Sequence, residues 1–240
     1  IGYFIEKYGI EQIAFNDDDF LFDHAWVKSF CEKFKSKFRS IYWGCSTRVD
    51  SVSLEILKEI KEAGCWFIYY GMETAHQNLL DLLKKNTTIR QARDAAHWAR
   101  KTGLVSESTF MLGLPTETPK MGWETIEFAK EIGLDYAFFL PFHPFPGTEI
   151  YKMLMTNELY SGRYEIRYKG IYEPQVTYVP SAYGNKATLE KMIGEGYRSF
   201  YLNLPFVIRQ LRMLRSLNDF KDLIECFIFF LFILFRRKES

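Results

Sequence analysis

Residues 51–74 read SVSLEILKEIKEAGCWFIYYGMET. In the first part Leu54, Leu57, Ile60 and Ala63 fall at helical spacing, Ile56 joins the same face through Ile60, and Gly64 closes the end. Then the helical period stops. CWFIYYG (65–71) is a continuous apolar run of strand length, and after Met72 the polar Glu73 and Thr74 end it. A helix feeding directly into a buried strand is the return half of a βα unit.

The same rhythm extends in both directions. The opening residues, IGYFIEKYGI, read as a helix already under way. QIAF (12–15) precedes a helical segment near 24–38, and YWGC (42–45) precedes the helix of 51–64. Two helical pieces follow near 76–84 and 88–102. STFMLG (108–113) precedes WETIEFAKEIG (123–133), and DYAFFLP (135–141) precedes a short helix near 148–155. Five apolar strands, each followed by a helix, predict a parallel sheet buried on both faces. A (β/α) barrel and an open doubly wound sheet both satisfy the pattern, and in both, chemistry gathers at the C-terminal ends of the strands.

Each of those ends carries polar, Gly or Pro residues: Asp17-Asp18-Asp19, then Ser46 to Asp50, then Gly71 to Thr74, then Gly113 to Glu117, then Pro141 to Thr148. Five such exits in register form a polar rim, the expected mouth of a ligand site. In FNDDDFLFD (15–23) four carboxylates stand among phenylalanines. They read as a hard-metal site, as the charged lip of a buried strand, or as a contact for a cationic ligand. The calcium-loop pattern requires a glycine sixth and a glutamate twelfth, whereas counting from Asp17 gives Phe22 and Lys28. Strand alternation would put Asp17 and Asp19 on one side and Asp18 on the other.

The chain has 240 residues, 48% hydrophobic and 18% aromatic, enough for a sizeable core. Its net charge of +1 provides no basic excess of the kind nucleic-acid binding needs. Cys31, Cys45, Cys65 and Cys226 stand too far apart for a zinc or iron–sulfur motif and read as buried thiols in a reducing compartment. No signal peptide is visible. From about 156 the rhythm ends. Residues 160–185 read as an irregular lid. A basic helical stretch follows with Arg198, Arg209, Arg212 and Arg215, and then the apolar run Cys226–Phe235 before Arg236-Arg237-Lys238. That run is too short to span a bilayer, where about 20 apolar residues are needed. It suits peripheral contact with an anionic membrane through 217–238, or equally a terminal helix docked on the domain or on a partner.

Taken in order, FNDDDF, R-V-D before a helix, AGC-WFIYYGMET, LLKKNTT, FMLGLPTET and PFPGTEIY resemble the radical S-adenosylmethionine enzymes. Within them the likeness is to the cobalamin-dependent branch of the anaerobic magnesium-protoporphyrin cyclase type. The resemblance covers about residues 1–155 and implies an α/β fold, a partial (β/α)6 TIM-like barrel. This chain would supply strands two to six as residues 1–155, with 156–240 an α-helical C-terminal extension. The family's first strand and its C-x3-C-x2-C cluster loop are missing from the sequence. The expectation is an N-terminally truncated fragment, inactive alone; the alternative is a non-catalytic ligand-binding module that lost its cluster.

The resemblance also implies roles. Glu73 would contact the ribose or amino group of S-adenosylmethionine, and Lys85 its methionine carboxylate, with Lys84 as competitor. Asp17 and Asp18 would face the sulfonium and ammonium. Arg48 would pair with a carboxylate of cofactor or substrate, or form a structural bridge to Asp50. Gly113 and Pro115 would let backbone approach the adenine, although Glu117 is displaced from the stricter family pattern. His143 either touches substrate or packs. No residue stands out as acid–base or nucleophilic catalyst, and an ordinary barrel aldolase is disfavoured because Lys85, the only nearby lysine, reads as helical. The cofactors implied are S-adenosylmethionine, a [4Fe–4S] cluster held outside this chain, and, for this branch, cobalamin. The partners implied are a small or lipid-like substrate and a flavodoxin or ferredoxin as electron donor. The location implied is cytoplasmic, with contact at the inner face of the membrane open.

Overall fold

A computed structural model describes residues 1–156, 162–164 and 176–213. Helix α1 (Gly2–Tyr8) ends at Gly9, whose φ of 62° is left-handed. Then strands and helices alternate: β1 (Gln12–Phe15), α2 (His24–Lys37), β2 (Tyr42–Thr47), α3 (Leu54–Glu62), β3 (Cys65–Glu73), α4 (Gln77–Leu82), α5 (Ile89–Thr102), β4 (Val105–Leu112), α6 (Pro119–Glu131), β5 (Tyr136–Pro141) and α7 (Glu149–Thr156). Strands β6 (Gly162–Tyr164) and β7 (Tyr178–Pro180) form an antiparallel pair, followed by α8 (Lys186–Tyr201) and α9 (Leu204–Met213). Side-chain caps mark several of the helix starts. Asp23 accepts from the amides of Ala25 and Trp26, Ser53 from that of Ile56, and Thr88 forms a capping box with Gln91.

The sheet runs β1-β2-β3-β4-β5, every neighbouring pair parallel. This order decides between the two architectures. A doubly wound sheet reverses its strand order at a switch point, and this one does not. Right-handed crossovers taken always in one direction place all the helices on one face. The chain is α/β and forms part of a TIM-like barrel.

One expectation is corrected. The strands are not buried on both faces. On β4, Ser106, Ser108, Phe110 and Leu112 are buried, whereas Val105, Glu107, Thr109 and Met111 are only partly covered. On β5, Phe138 and Leu140 are exposed between buried neighbours. The helix-facing side is the core and the concave side is open, as one wall of a barrel requires.

The core is aromatic near the first strands. Phe15, Phe20, Phe30 and Phe34 surround Trp43, whose indole N–H donates to the Ala63 carbonyl at 2.9 Å. Each such ring contributes about 1.5–3 kcal/mol by burial. Helix α5 instead buries Ala92, Ala95, Ala96 and Ala99, small residues that let it lie close to its neighbours. Helix α8 covers the free edge of β5. The Tyr197 hydroxyl accepts the Phe139 amide at 3.2 Å, and the Tyr201 hydroxyl accepts the Ala137 amide at 3.1 Å while donating to its carbonyl at 3.0 Å. These bonds occupy the groups a further strand would have used.

Cys31, Cys45 and Cys65 are buried thiols. No helix of the described residues is long and apolar enough to cross a membrane. The segment 217–238, Arg215, Cys226 and residues 160, 161 and 165–175 of the expected lid lie outside the described residues.

Candidate active site

The strand exits converge on a network that joins β1, β2 and β3. It begins at Asp19. One oxygen of its carboxylate accepts the Thr47 hydroxyl at 2.6 Å and the Arg48 amide at 3.2 Å, and the other accepts the Ser51 hydroxyl at 2.5 Å. Asp19 therefore shapes the loop after β2. Asp17 and Asp18 are left exposed on the rim. The expected alternation of the three aspartates fails because β1 ends at Phe15, so the strand period does not reach them. Of the four carboxylates in FNDDDFLFD, Asp19 is taken up by the loop after β2 and Asp23 by the start of α2, which leaves Asp17 and Asp18 for a ligand.

Arg48 continues the network. Its guanidinium grips Asp50 with two bonds of 2.9 and 2.8 Å and donates to the Lys85 carbonyl at 2.8 Å. The Asp50 bond raises its pKa further. Of the two roles open to Arg48, the structure displays the structural bridge, and it fixes the backbone of Lys85 as well.

Lys84 and Lys85 now separate. Helix α4 closes at Lys84, whose φ of 51° is left-handed. The Lys84 amide donates to the Asp81 carbonyl and the Lys85 amide to the Leu80 carbonyl, the double bond pattern of a Schellman end. This turn sends the two side chains apart. Lys84 reaches out to Glu149 at 2.6 Å on the surface. Lys85 turns in and meets Glu73 Oε1 at 2.6 Å. Lys85 thus stands beyond the helix rather than within it.

Glu73 ends β3 at an irregularity in its pairing with β4, with φ at 68°. A non-glycine residue held there costs about 1–3 kcal/mol, and such strain collects at functional sites. Its side chain is 14% exposed and that of Lys85 25%. Both lie over Gly71. A Cβ at position 71 would come within 2.6 Å of Glu73 Oε1 and 2.9 Å of Lys85 Nζ. The missing side chain is what lets the pair close over the sheet. Thr74, the last residue of the motif, is fully buried, and its hydroxyl meets that of Thr125 on α6 at 3.3 Å.

The exit of β4 is built differently. Gly113 (φ 79°) and Pro115 are buried, and the Gly113 amide donates to Glu117 Oε1 at 2.7 Å. A Cβ on Gly113 would lie 2.6 Å from Leu189 of α8. The expected open amide at Gly113 is therefore engaged within the protein, and α8 covers the loop. Glu117 is fully buried, and the Tyr183 hydroxyl donates to its Oε1. Burial pushes the Glu117 carboxyl up to about 7 against the pull of these donors. Sequence reasoning noted Glu117 only as displaced. Its partner lies 66 positions away, and no local pattern signals it. His143 meets the Thr177 hydroxyl at 2.7 Å, and burial lowers its pKa.

Of the three implied cofactors, the residues fit S-adenosylmethionine and do not fit the cluster. The amino-acid end of S-adenosylmethionine is a zwitterion. Glu73 and Lys85 offer it opposite charges side by side in a cradle kept open by Gly71. The three described thiols do not fit an iron–sulfur cluster. Each is buried, burial pushes Cys31 up to about 12, and Cys45 is raised well above the ordinary thiol range by its bond to Cys65 and by burial. Clusters are held by several thiolates converging on one point. Among the described residues no group of three or more His, Cys, Asp or Glu could hold a metal.

Comparisons agree with this geometry. The sequence profile of the Radical SAM superfamily matches residues 1–129. An uncharacterised methyltransferase of Pyrococcus horikoshii is 31% identical over 205 residues, 85% of this chain and 44% of that protein. The anaerobic magnesium-protoporphyrin IX monomethyl ester cyclase of Rubrivivax gelatinosus is 31% identical over 127 residues, 52% of this chain and 23% of that protein. The chain thus spans less than half the length of these curated relatives. Among solved structures, the coproporphyrinogen III oxidase HemN of Escherichia coli shares the fold with a TM-score of 0.56 at 12% identity, over 80% of this chain and 40% of that one. The radical S-adenosylmethionine methyltransferase TsrM of Kitasatospora setae, solved with cobalamin and a [4Fe–4S] cluster, shares it at 0.53 and 16%, over 57% of this chain and 27% of that one. With a profile match over more than half its length and a sheet of the matching order, the chain belongs to the radical SAM superfamily.

Proposed function

We propose that this chain is the cofactor-holding wall of an enzyme that cleaves S-adenosylmethionine reductively to methionine and a 5′-deoxyadenosyl radical, which would take a hydrogen atom from an organic substrate and leave as 5′-deoxyadenosine; the substrate so opened would cyclise or, with cobalamin supplying the methyl group, be methylated. The carrying observation is the Glu73–Lys85 pair closed over Gly71 at the exit of β3. In this reading Glu73 accepts the ammonium or the ribose hydroxyls, and Lys85 receives the methionine carboxylate. Two bonds to charged groups, each worth about 1.5–3 kcal/mol, suffice to orient the cofactor. Arg48 acts through Lys85, holding its backbone, and Asp17 and Asp18 add negative potential near the sulfonium. Bound S-adenosylmethionine supplies the carbon–sulfur bond whose cleavage starts the reaction.

The names of the methyltransferase and cyclase relatives support methyl transfer or ring closure as the outcome. Cobalamin and the cluster would be held by residues other than those described. The test is anaerobic reduction of the intact protein containing this segment, with S-adenosylmethionine present. The expected products are 5′-deoxyadenosine and methionine, strongly reduced in Glu73→Gln. No cofactor cleavage together with no cofactor binding would refute the reading.

A further inference from the structure

The concave side of the sheet is layered, and one layer carries a carboxylate that no cation among the described residues pairs with. Strand register sets Ser46, Tyr69, Glu107 and Tyr136 side by side on β2 to β5. The layer nearer the exits holds Gly71, Thr109 and Phe138, and the layer below holds Gly44, Phe67 and Val105. On β4 the residues facing the helices are buried, so Glu107 is turned to the open side. It is half-buried there. Among the described residues it makes no hydrogen bond or ion pair, and burial raises its pKa with no cation close enough to oppose it.

A partly desolvated carboxylate without a partner is costly to keep, which singles out clefts where a ligand supplies the partner. The surroundings agree on the sign of that partner. Tyr69 and Tyr136 flank Glu107 in its own layer, and Phe67 and Phe138 line the layers below and above. Aromatic faces attract cations, and an anion would meet repulsion from Glu107. The position fits a substrate rather than the cofactor. Glu107 lies two residues deeper than Thr109, about 7 Å at the rise of a parallel strand, and Thr109 pairs with Gly71, over which Glu73 and Lys85 close.

We propose that Glu107 is a specificity-determining residue of the substrate chamber and receives a protonated amine carried on an apolar or aromatic body. The assignment rests on the reading of the Glu73–Lys85 rim as the cofactor site. It goes beyond that reading by naming the substrate's charge and the residue that selects it.

The test compares phenethylamine with phenethyl alcohol, its neutral counterpart, on the intact protein by titration and ligand-observed NMR. The amine is expected to bind at least about tenfold tighter, the effect of one charge-assisted bond. Glu107→Gln and Glu107→Met should abolish that preference while leaving S-adenosylmethionine affinity unchanged and the unfolding temperature no lower than in the native protein. Equal binding of the two probes, binding of neither, or a preference retained in both variants overturns the proposal. Failure of the native protein to bind S-adenosylmethionine overturns the rim assignment instead, and the amine comparison reads independently of it.

Discussion

The Lys85 ammonium lies 2.6 Å from the Glu73 carboxylate, and both stand over the bare backbone of Gly71. This arrangement makes Gly71 a sharper probe of the site than either charged residue. In Gly71→Ala the new methyl would sit 2.6 Å from Glu73 Oε1 and 2.9 Å from Lys85 Nζ. Both are tips of flexible side chains, so the pair should part while the strand stays. S-adenosylmethionine affinity is expected to fall about tenfold, the loss of one charged hydrogen bond, with the unfolding temperature nearly unchanged. Calorimetric titration with a thermal melt checks both. Unchanged affinity would mean that the closed pair is not the binding element.

Glu117 makes stability depend on pH in a stated direction. Burial raises its carboxyl from 4.5 to about 7. The folded protein therefore keeps a proton that the unfolded chain releases between those values. The associated stability is complete below about pH 4.5, declines as pH rises and is gone above about pH 7. At 1.36 kcal/mol per unit the span is about 3 kcal/mol. Urea unfolding of the native protein and Glu117→Gln between pH 4.5 and 7.5 should show this slope in the native protein and its loss in the variant. Parallel curves would contradict the assignment.

The covered edge of β5 predicts an order of effects. Tyr201 serves both the amide and the carbonyl of Ala137, whereas Tyr197 accepts the amide of Phe139. Tyr201→Phe strands two backbone groups and should cost about 2–3 kcal/mol, and Tyr197→Phe about 1 kcal/mol. Denaturant melts of the two variants measure the difference. Equal and small losses would mean that water replaces both hydroxyls.

Much of this architecture is written locally. The apolar runs of β1, β2, β3 and β5 stand out by composition, and α5 is announced by Thr88 and Gln91 at its start. The opening of β4 is not, because Val105-Ser106-Glu107 is polar. The Ser106 amide and hydroxyl both bond to Asp135, and the Ser108 hydroxyl to the Tyr70 carbonyl, so the two serines are satisfied by neighbouring groups that no local pattern announces. Helix α6 starts at Pro119, ahead of the stretch 123–133 that its composition marks, because Thr118 caps it and Pro119 opens it. The inward turn of Lys85 depends on the left-handed Lys84 before it, and lysine carries no such preference. Glu117 and Tyr183 meet only through folding of the segment after β7 against the barrel.

The central claim is that Glu73 and Lys85 bind the amino-acid end of S-adenosylmethionine. Its most direct measurement is the affinity of the intact protein for S-adenosylmethionine in native form, in Glu73→Gln and in Lys85→Met, each checked for an unchanged fold by circular dichroism. The account predicts losses of about tenfold or more in each variant, with a double variant little worse than the weaker single, because the two charges act as one unit. Affinities equal to the native value in both folded variants would contradict it.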